Sequence, residues 1–391
     1  MIFAISTNCI LPSFLFSYQV VINVGAVAGC IVIPVVARSS ITVAYMIPFV
    51  LLLVAVLCFV TGSNRYVAAV PGGHGAQIEE GNVDNVSDMK DKPNFADVAK
   101  ICALIIPFNI VYSQCPTTFM VQGGVMDPLF GFIEAPSMDI LDSVSVLVSG
   151  YFVSTFLYPF LARRNIKLAT GYKFALGSAI GALAVLWSLL VESLIHREYA
   201  RTGGKINVLW QAPCYILIGL AEIFSISTAY EVAFTASPPN KKAFACAFNL
   251  FCIGGVPNMV SLGLYRMCET WFQNNAGHGN IGRIKDYSEA HVAKYFWVLC
   301  GIVMLGVFVN LLPPVRKWIA FVEDRAARAA SSSMPSTPKL SATDKAKKEG
   351  ENEPLLKAKK HIKYLEEGTQ ARIYRANTIK AEYTRSKKRN K

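Results

Sequence analysis

Charge is scarce in most of this sequence. Of 391 residues, 16% are Asp, Glu, Lys or Arg against 53% apolar, and the mean hydropathy is +0.38. No Lys or Arg precedes Arg38, and none lies between residues 206 and 236. Paired metal-binding or redox spacing is missing as well: ten cysteines occur without one CxxC. Seven of them (Cys30, Cys58, Cys102, Cys214, Cys246, Cys252 and Cys300) sit in apolar runs. They read as buried small hydrophobes, not as a disulfide framework or a metal site. Five scattered histidines and no nucleophile–base pattern leave an enzyme without machinery, and no cofactor is expected. The charge that exists is gathered at one end. Residues 316–391 hold 20 Lys/Arg against 9 Asp/Glu, and the first 315 hold 18 against 17. A basic tail on a near-neutral apolar body argues against a nucleic-acid-binding fold. It points to the anionic leaflet of a membrane as the tail's partner.

What is present is a series of long apolar runs. Eight occur, near residues 13–37, 41–62, 98–122, 138–161, 172–195, 206–236, 243–266 and 293–315. Each meets the roughly 20 residues that cross a ~30 Å hydrocarbon core. The first lacks the basic start of a cleaved signal and is followed at once by another span. The expected class is an all-α polytopic membrane protein. Basic loops at 163–173 and 241–242 fall on the same side as the tail, which predicts that both termini are cytosolic. Segment 71–97, polar and Gly-rich, reads as a cytosolic linker between residues 1–70 and a six-span unit, 98–315. Its sequon, Asn85-Val86-Ser87, would stay bare on that side. Residues 316–391 read as a disordered basic tail.

Three spans carry polar groups that lipid would not tolerate. The third contains Asn109, Tyr112, Gln114, Thr117, Thr118 and Gln122, of which Gln114, Thr117 and Thr118 have the spacing of one helix face. The fourth opens with Asp139 and Asp142. The sixth holds Glu222 at its middle and Glu231 nine residues on, about 13.5 Å along a regular helix and half a turn round. A carboxylate at the bilayer centre costs about 2.5–3.5 kcal/mol on insertion scales. Glu222 is therefore a candidate functional group, while Glu231, near the tail-side end, reads as an interfacial or packing carboxylate. No Lys or Arg lies well inside any span to neutralise these acids.

At these residues the chain resembles a known family. "VINVG" (21–25), "YSQCPTTFMVQGGVMD" (112–127), "LWQAPCYILIGLAEIFSISTAYEVAFTASP" (209–238) and "KKAFACAFNLF" (241–251) are similar to the proton-dependent oligopeptide (peptide/nitrate) transporters of the major facilitator superfamily. The resemblance runs from about residue 13 to 315. It implies a partial major facilitator fold, with these spans matching helices 5 to 12 of twelve. The last two helices of the N-terminal bundle would fall in 1–70, and the C-terminal bundle in 98–315. The first four helices, with the family's E-x-x-E-R motif and a fourth-helix lysine, would lie outside this chain. The implied activity is symport of di- and tripeptides, or of a small anion such as nitrate, with protons. The alternative is a truncated or regulatory paralogue that does not transport. Residue by residue, the resemblance implies that Glu222 binds a peptide's amino terminus and Asn23 its backbone. It also implies that Asp142 stands near a peptide-contacting asparagine, and that Tyr112 and Gln114 line the pocket. Two departures stand out. Ser113 replaces the acid that often precedes the helix-7 glutamine, and Val153 and Ser154 replace a Tyr-Asp pair.

The tail contains "EGENEPLLKAKK", in which Glu351, Leu355 and Leu356 fit an acidic dileucine pattern for sorting adaptors. It leaves the plasma membrane and an endolysosomal or vacuolar membrane both open as destinations.

Overall fold

The computed structural model describes residues 2–62 and 93–332, apart from Phe132, Asn165, Lys167, His278 and Asn280. Most of the expected linker, the Asn85 sequon and the Glu351/Leu355/Leu356 pattern lie outside the described residues.

Helix follows helix. α1 (Ile2–Ser39) and α2 (Ile41–Thr61) are separated at Ser40, whose hydroxyl caps α2 by accepting from the Val43 N–H. α3 (Phe95–Ala103) starts on the Asn94 side chain, which accepts from the Ala96 N–H at 3.1 Å. α4 (Ile106–Gly124) leaves α3 at 43°. The break falls just before Pro107, which has no N–H to continue the ladder. α5 (Ala135–Arg163), α6 (Thr170–Thr202), α7 (Val208–Thr235) and α8 (Lys242–Met267) come next. Gly203 ends α6 with φ +68°, a left-handed cap that glycine adopts without strain. The short α9 (Ile284–Glu289) leads to α10 (Val292–Leu311) and α11 (Pro313–Ser332). Among the described residues seven helices are long and apolar enough to cross a membrane, or eight if α3 and α4 form one bent span. They cover the eight apolar runs read from the sequence. The chain is an all-α polytopic membrane protein.

The two ends of the bundle differ. At one end α11 packs Ile319, Val322 and Ala326 against Val98, Ile101 and Phe174. Arg325 donates to Asp97 and Thr170 to Glu323, both at 2.5 Å. Burial pushes the Glu323 carboxyl above its usual range, although the Thr170 hydroxyl and Lys173 pull it back. Residues 316–332, expected to begin an unstructured tail, are therefore helical. Their apolar groups recur at i, i+3 and i+7, too thinly to raise hydropathy but enough to form a stripe. At the other end Met126, Val208, Cys268 and Tyr287 join one core cluster, and Arg38 meets Glu134 at 3.0 Å. Both partners of that pair are exposed, so it adds little stability.

Two glycines let α7 sit deep in the bundle. A Cβ on Gly219 would come within 2.6 Å of the Asp142 carbonyl oxygen of α5. One on Gly177 of α6 would come within 3.0 Å of the Ala221 carbonyl. Without a hydrophobic drive between helices in lipid, such close backbone approach supplies the packing. Four helices also hold a π-helical turn: Cys115–Phe119 in α4, Val153–Leu157 in α5, Ile223–Ser227 in α7 and Phe251–Gly255 in α8. Each shifts the angular register of the residues C-terminal to it, and such turns gather at functional positions.

Candidate functional site

Glu222 is the last residue of regular helix before the π turn of α7, and it is 6% exposed. Asp142, in the first full α-helical turn of α5, is 7% exposed, and its Oδ1 has no hydrogen-bond partner. The Gly219 crossing holds the two helices together one turn before Glu222, so the two carboxyl groups lie close enough to act on each other. Both also act on the Tyr112 hydroxyl of α4, Glu222 the more strongly. From α1, Cys30 lies within electrostatic reach of Asp139 and Asp142. Asn23, two turns before Cys30, is the one buried residue of α1 among its described side chains, while Val21, Ile22 and Val24 beside it are exposed. An amide turned inward and aliphatics turned outward is the pattern of a helix between lipid and a polar interior. The structure thus gathers Asp142, Glu222 and Tyr112. A proton or a cationic ligand would relieve the repulsion between the two acids.

Gln114 is elsewhere. Two residues from Tyr112, it points about 200° away round the helix. It is fully buried among α8 and α10: its Nε2 donates to the Ile110 carbonyl (2.8 Å) and to the Ser261 hydroxyl (3.1 Å). Its Oε1 accepts from Thr118 (2.8 Å), Tyr295 (3.2 Å) and Tyr265 (3.3 Å). Thr118 also bonds to Tyr265. So Tyr112 and Gln114 do not form one lining face; Gln114 ties α4 to its neighbours. Thr117, expected on the Gln114 face, is exposed at its edge, since the π turn begins at Cys115. Glu231 behaves as a boundary carboxylate: it is half-exposed and pairs with Lys173 at 3.7 Å.

One buried acid escaped the sequence reading. Glu192 of α6 is 1% exposed and accepts from the Tyr287 hydroxyl at 2.6 Å and the Gln122 amide at 2.9 Å. His196 faces its other oxygen at 3.2 Å. Gln211, in the "WQ" of the family-like motif, donates to Gln122 Oε1 (3.1 Å) and to the Phe119 carbonyl (2.8 Å). The available signal was the Glu-x-x-x-His spacing, which stacks Glu192 and His196 one turn apart.

Known proteins resemble this chain in sequence and in fold. The family model described as "PTR2: POT family" matches residues 74–284, more than half of the chain. Protein NRT1/PTR FAMILY 8.1 of Arabidopsis thaliana is 25% identical over 253 residues, covering 60% of this chain and 44% of that protein. Peptide transporter PTR2 of Saccharomyces cerevisiae is 24% identical over 272 residues, covering 61% of this chain and 45% of that one. The chain spans about half the length of the curated relatives it matches. Among solved structures, an auto-inhibited POT family peptide transporter superposes with a TM-score of 0.58 at 18% identity. That match covers 76% of this chain and 69% of the other. The POT family transporter PepTSo gives 0.55 at 18% identity, over 80% and 70%. At that identity the likeness shows the fold, which resembles part of the major facilitator architecture. The yeast relative and both solved structures are named as transporters. With its family motifs lying on α4, α7 and α8 and the family match spanning them, this chain belongs to the POT family.

Proposed function

We propose that the chain serves proton-coupled symport of small peptides by alternating access. The observation that carries this reading is the Asp142–Glu222 pair, buried beside Tyr112 in helices that hold no Lys or Arg between 138 and 161 or between 206 and 236. Such a site suits an ammonium group better than nitrate, because a second anion would add to the repulsion. Glu222 holds the peptide's amino terminus, Asp142 shares the cationic load, and Asn23 and Tyr112 meet the backbone. Gln114 positions α4. Rocking of one helix group against another around a midplane site would give alternating access. The test is reconstitution of the full chain in vesicles with an internal pH dye. A dipeptide should acidify the lumen; acidification with nitrate but not dipeptide would replace the substrate, and none with either would favour the non-transporting reading.

For orientation, the α11 end faces the cytosol. The basic tail lies near anionic lipid, and Glu351, Leu355 and Leu356 engage sorting adaptors that direct the protein to an endolysosomal or vacuolar membrane. Glycosylation of Asn85 would contradict the orientation. An unchanged distribution of the Leu355→Ala/Leu356→Ala protein would remove the sorting role.

A further inference from the structure

Glu192 is not part of the Asp142–Glu222 site. Gln211, which belongs to its cluster, precedes Glu222 by eleven residues of α7, about 16 Å of helix. The cluster draws on four segments: Gln122 at the end of α4, Ser188 and His196 on α6 with Glu192, Gln211 at the start of α7 and Tyr287 on α9. Of these Gln122, His196 and Tyr287 meet Glu192, while Ser188 and Gln211 hold Gln122. The supply of neutral donors is used up. Gln122 spends its two amide hydrogens on the Ser188 carbonyl (3.1 Å) and on Glu192 Oε2. Tyr287 gives its only hydrogen to that same oxygen. Burial and the neighbouring Glu192 push the Tyr287 phenol well above its usual range, so it stays a donor and does not titrate. The remaining oxygen, Oε1, is served by His196.

His196 can exchange protons, because its side chain is 35% exposed while that of Glu192 is 2% exposed. Other titratable or charged groups stand nearby. On α6 these are Arg197 and Glu198, the latter bound by Arg201 at 3.0 Å. On α9, beside Tyr287, are Lys285, Asp286, which accepts from Asn274, and Glu289, which accepts from the Asn275 N–H. His291 precedes α10, which carries Lys294. α4 and α7 offer the neutral amides of Gln122 and Gln211 and the Cys214 thiol. Among the described residues Glu192 is the one charged group in contact with the imidazole.

We propose that Glu192 and His196 form a proton-binding site at the end of the bundle away from α11, and that a proton held there fastens the end of α4 to α6, α7 and α9. A proton from water adds to the imidazole ring, and the resulting cation stands one hydrogen bond from a buried acceptor. Loss of that proton returns a neutral ring and a weaker tie. Because the folded pair holds the proton and the unfolded chain has no such pair, its stabilisation is full at low pH. It fades as pH rises through the range in which His titrates.

The experiment is thermal unfolding of the full chain in lipid nanodiscs from about pH 5 to 8, for wild type, His196→Gln, His196→Arg and Glu192→Gln. Gln at 196 reaches the carboxylate as a neutral donor; Arg is a permanent cation. The wild type should lose about 3 °C more than His196→Gln over that range. His196→Arg should be as flat as His196→Gln, and Glu192→Gln should lose the same slope. If His196→Gln or His196→Arg keeps the wild-type slope, the proposal is overturned, and so it is if Glu192→Gln folds and keeps it. Should Glu192→Gln fail to fold, the two His196 variants decide the matter alone.

Discussion

Two buried acids in this bundle are handled in opposite ways. Glu192 is met by a phenol, an amide and an imidazole, all within 3.2 Å. Asp142 is buried nearly as deeply, yet its Oδ1 finds no partner, and its electrostatic neighbours are other acids, Glu222 and Asp139. A buried carboxylate with its donors in place holds helices together. One kept among like charges is destabilising until something cationic arrives. On the proposed function, the difference separates the part of the fold that grips from the part that binds.

The largest expected effect comes from removing each charge in turn. Glu192→Gln should destabilise the protein by about 2 kcal/mol, because charge-assisted hydrogen bonds are lost. Asp142→Asn should leave stability unchanged or raise it, since an unmet buried charge is removed. Thermal scans of the two variants side by side check this, and a large loss from Asp142→Asn would break the comparison. Next, Gly219→Ala should cost about 1 kcal/mol, the low end for one added methyl, because that methyl meets the Asp142 carbonyl and backbone cannot yield as a flexible side chain would. Its uptake activity should fall with the separation of α5 from α7. The smallest effect is expected of Lys173→Met. It breaks a pair in which Glu231 is half-exposed, so the cost should stay under about 1 kcal/mol. A loss several times larger would mean that Glu231 belongs with the buried acids.

Much of this was legible from residues alone. The eight apolar runs announce their helices because lipid demands length and hydrophobicity over anything subtler. Asp142 and Glu222 were visible as acids in the wrong solvent. Glu192 was not, because two of its partners, Gln122 and Tyr287, come from segments far apart in the chain, and Gln211, which holds Gln122, comes from a third. The separation of Tyr112 from Gln114 follows from helix geometry, but burial of Gln114 depends on tyrosines of α8 and α10 that no local pattern links to it. The π turns leave no mark in spacing, so registers counted across Cys115 or Ile223 drift. α11 hid because its stripe of Ile319, Val322 and Ala326 is thin and set among charges.

The central claim is that the Asp142–Glu222 pair binds the ligand and the Glu192 cluster does not. The most direct measurement is the rise in Tm caused by a saturating dipeptide in nanodiscs, compared across wild type, Glu222→Gln and His196→Gln. A ligand that binds only the folded state must raise Tm. The account predicts a rise in wild type that persists in His196→Gln and disappears in Glu222→Gln. A rise kept in Glu222→Gln but lost in His196→Gln would contradict it.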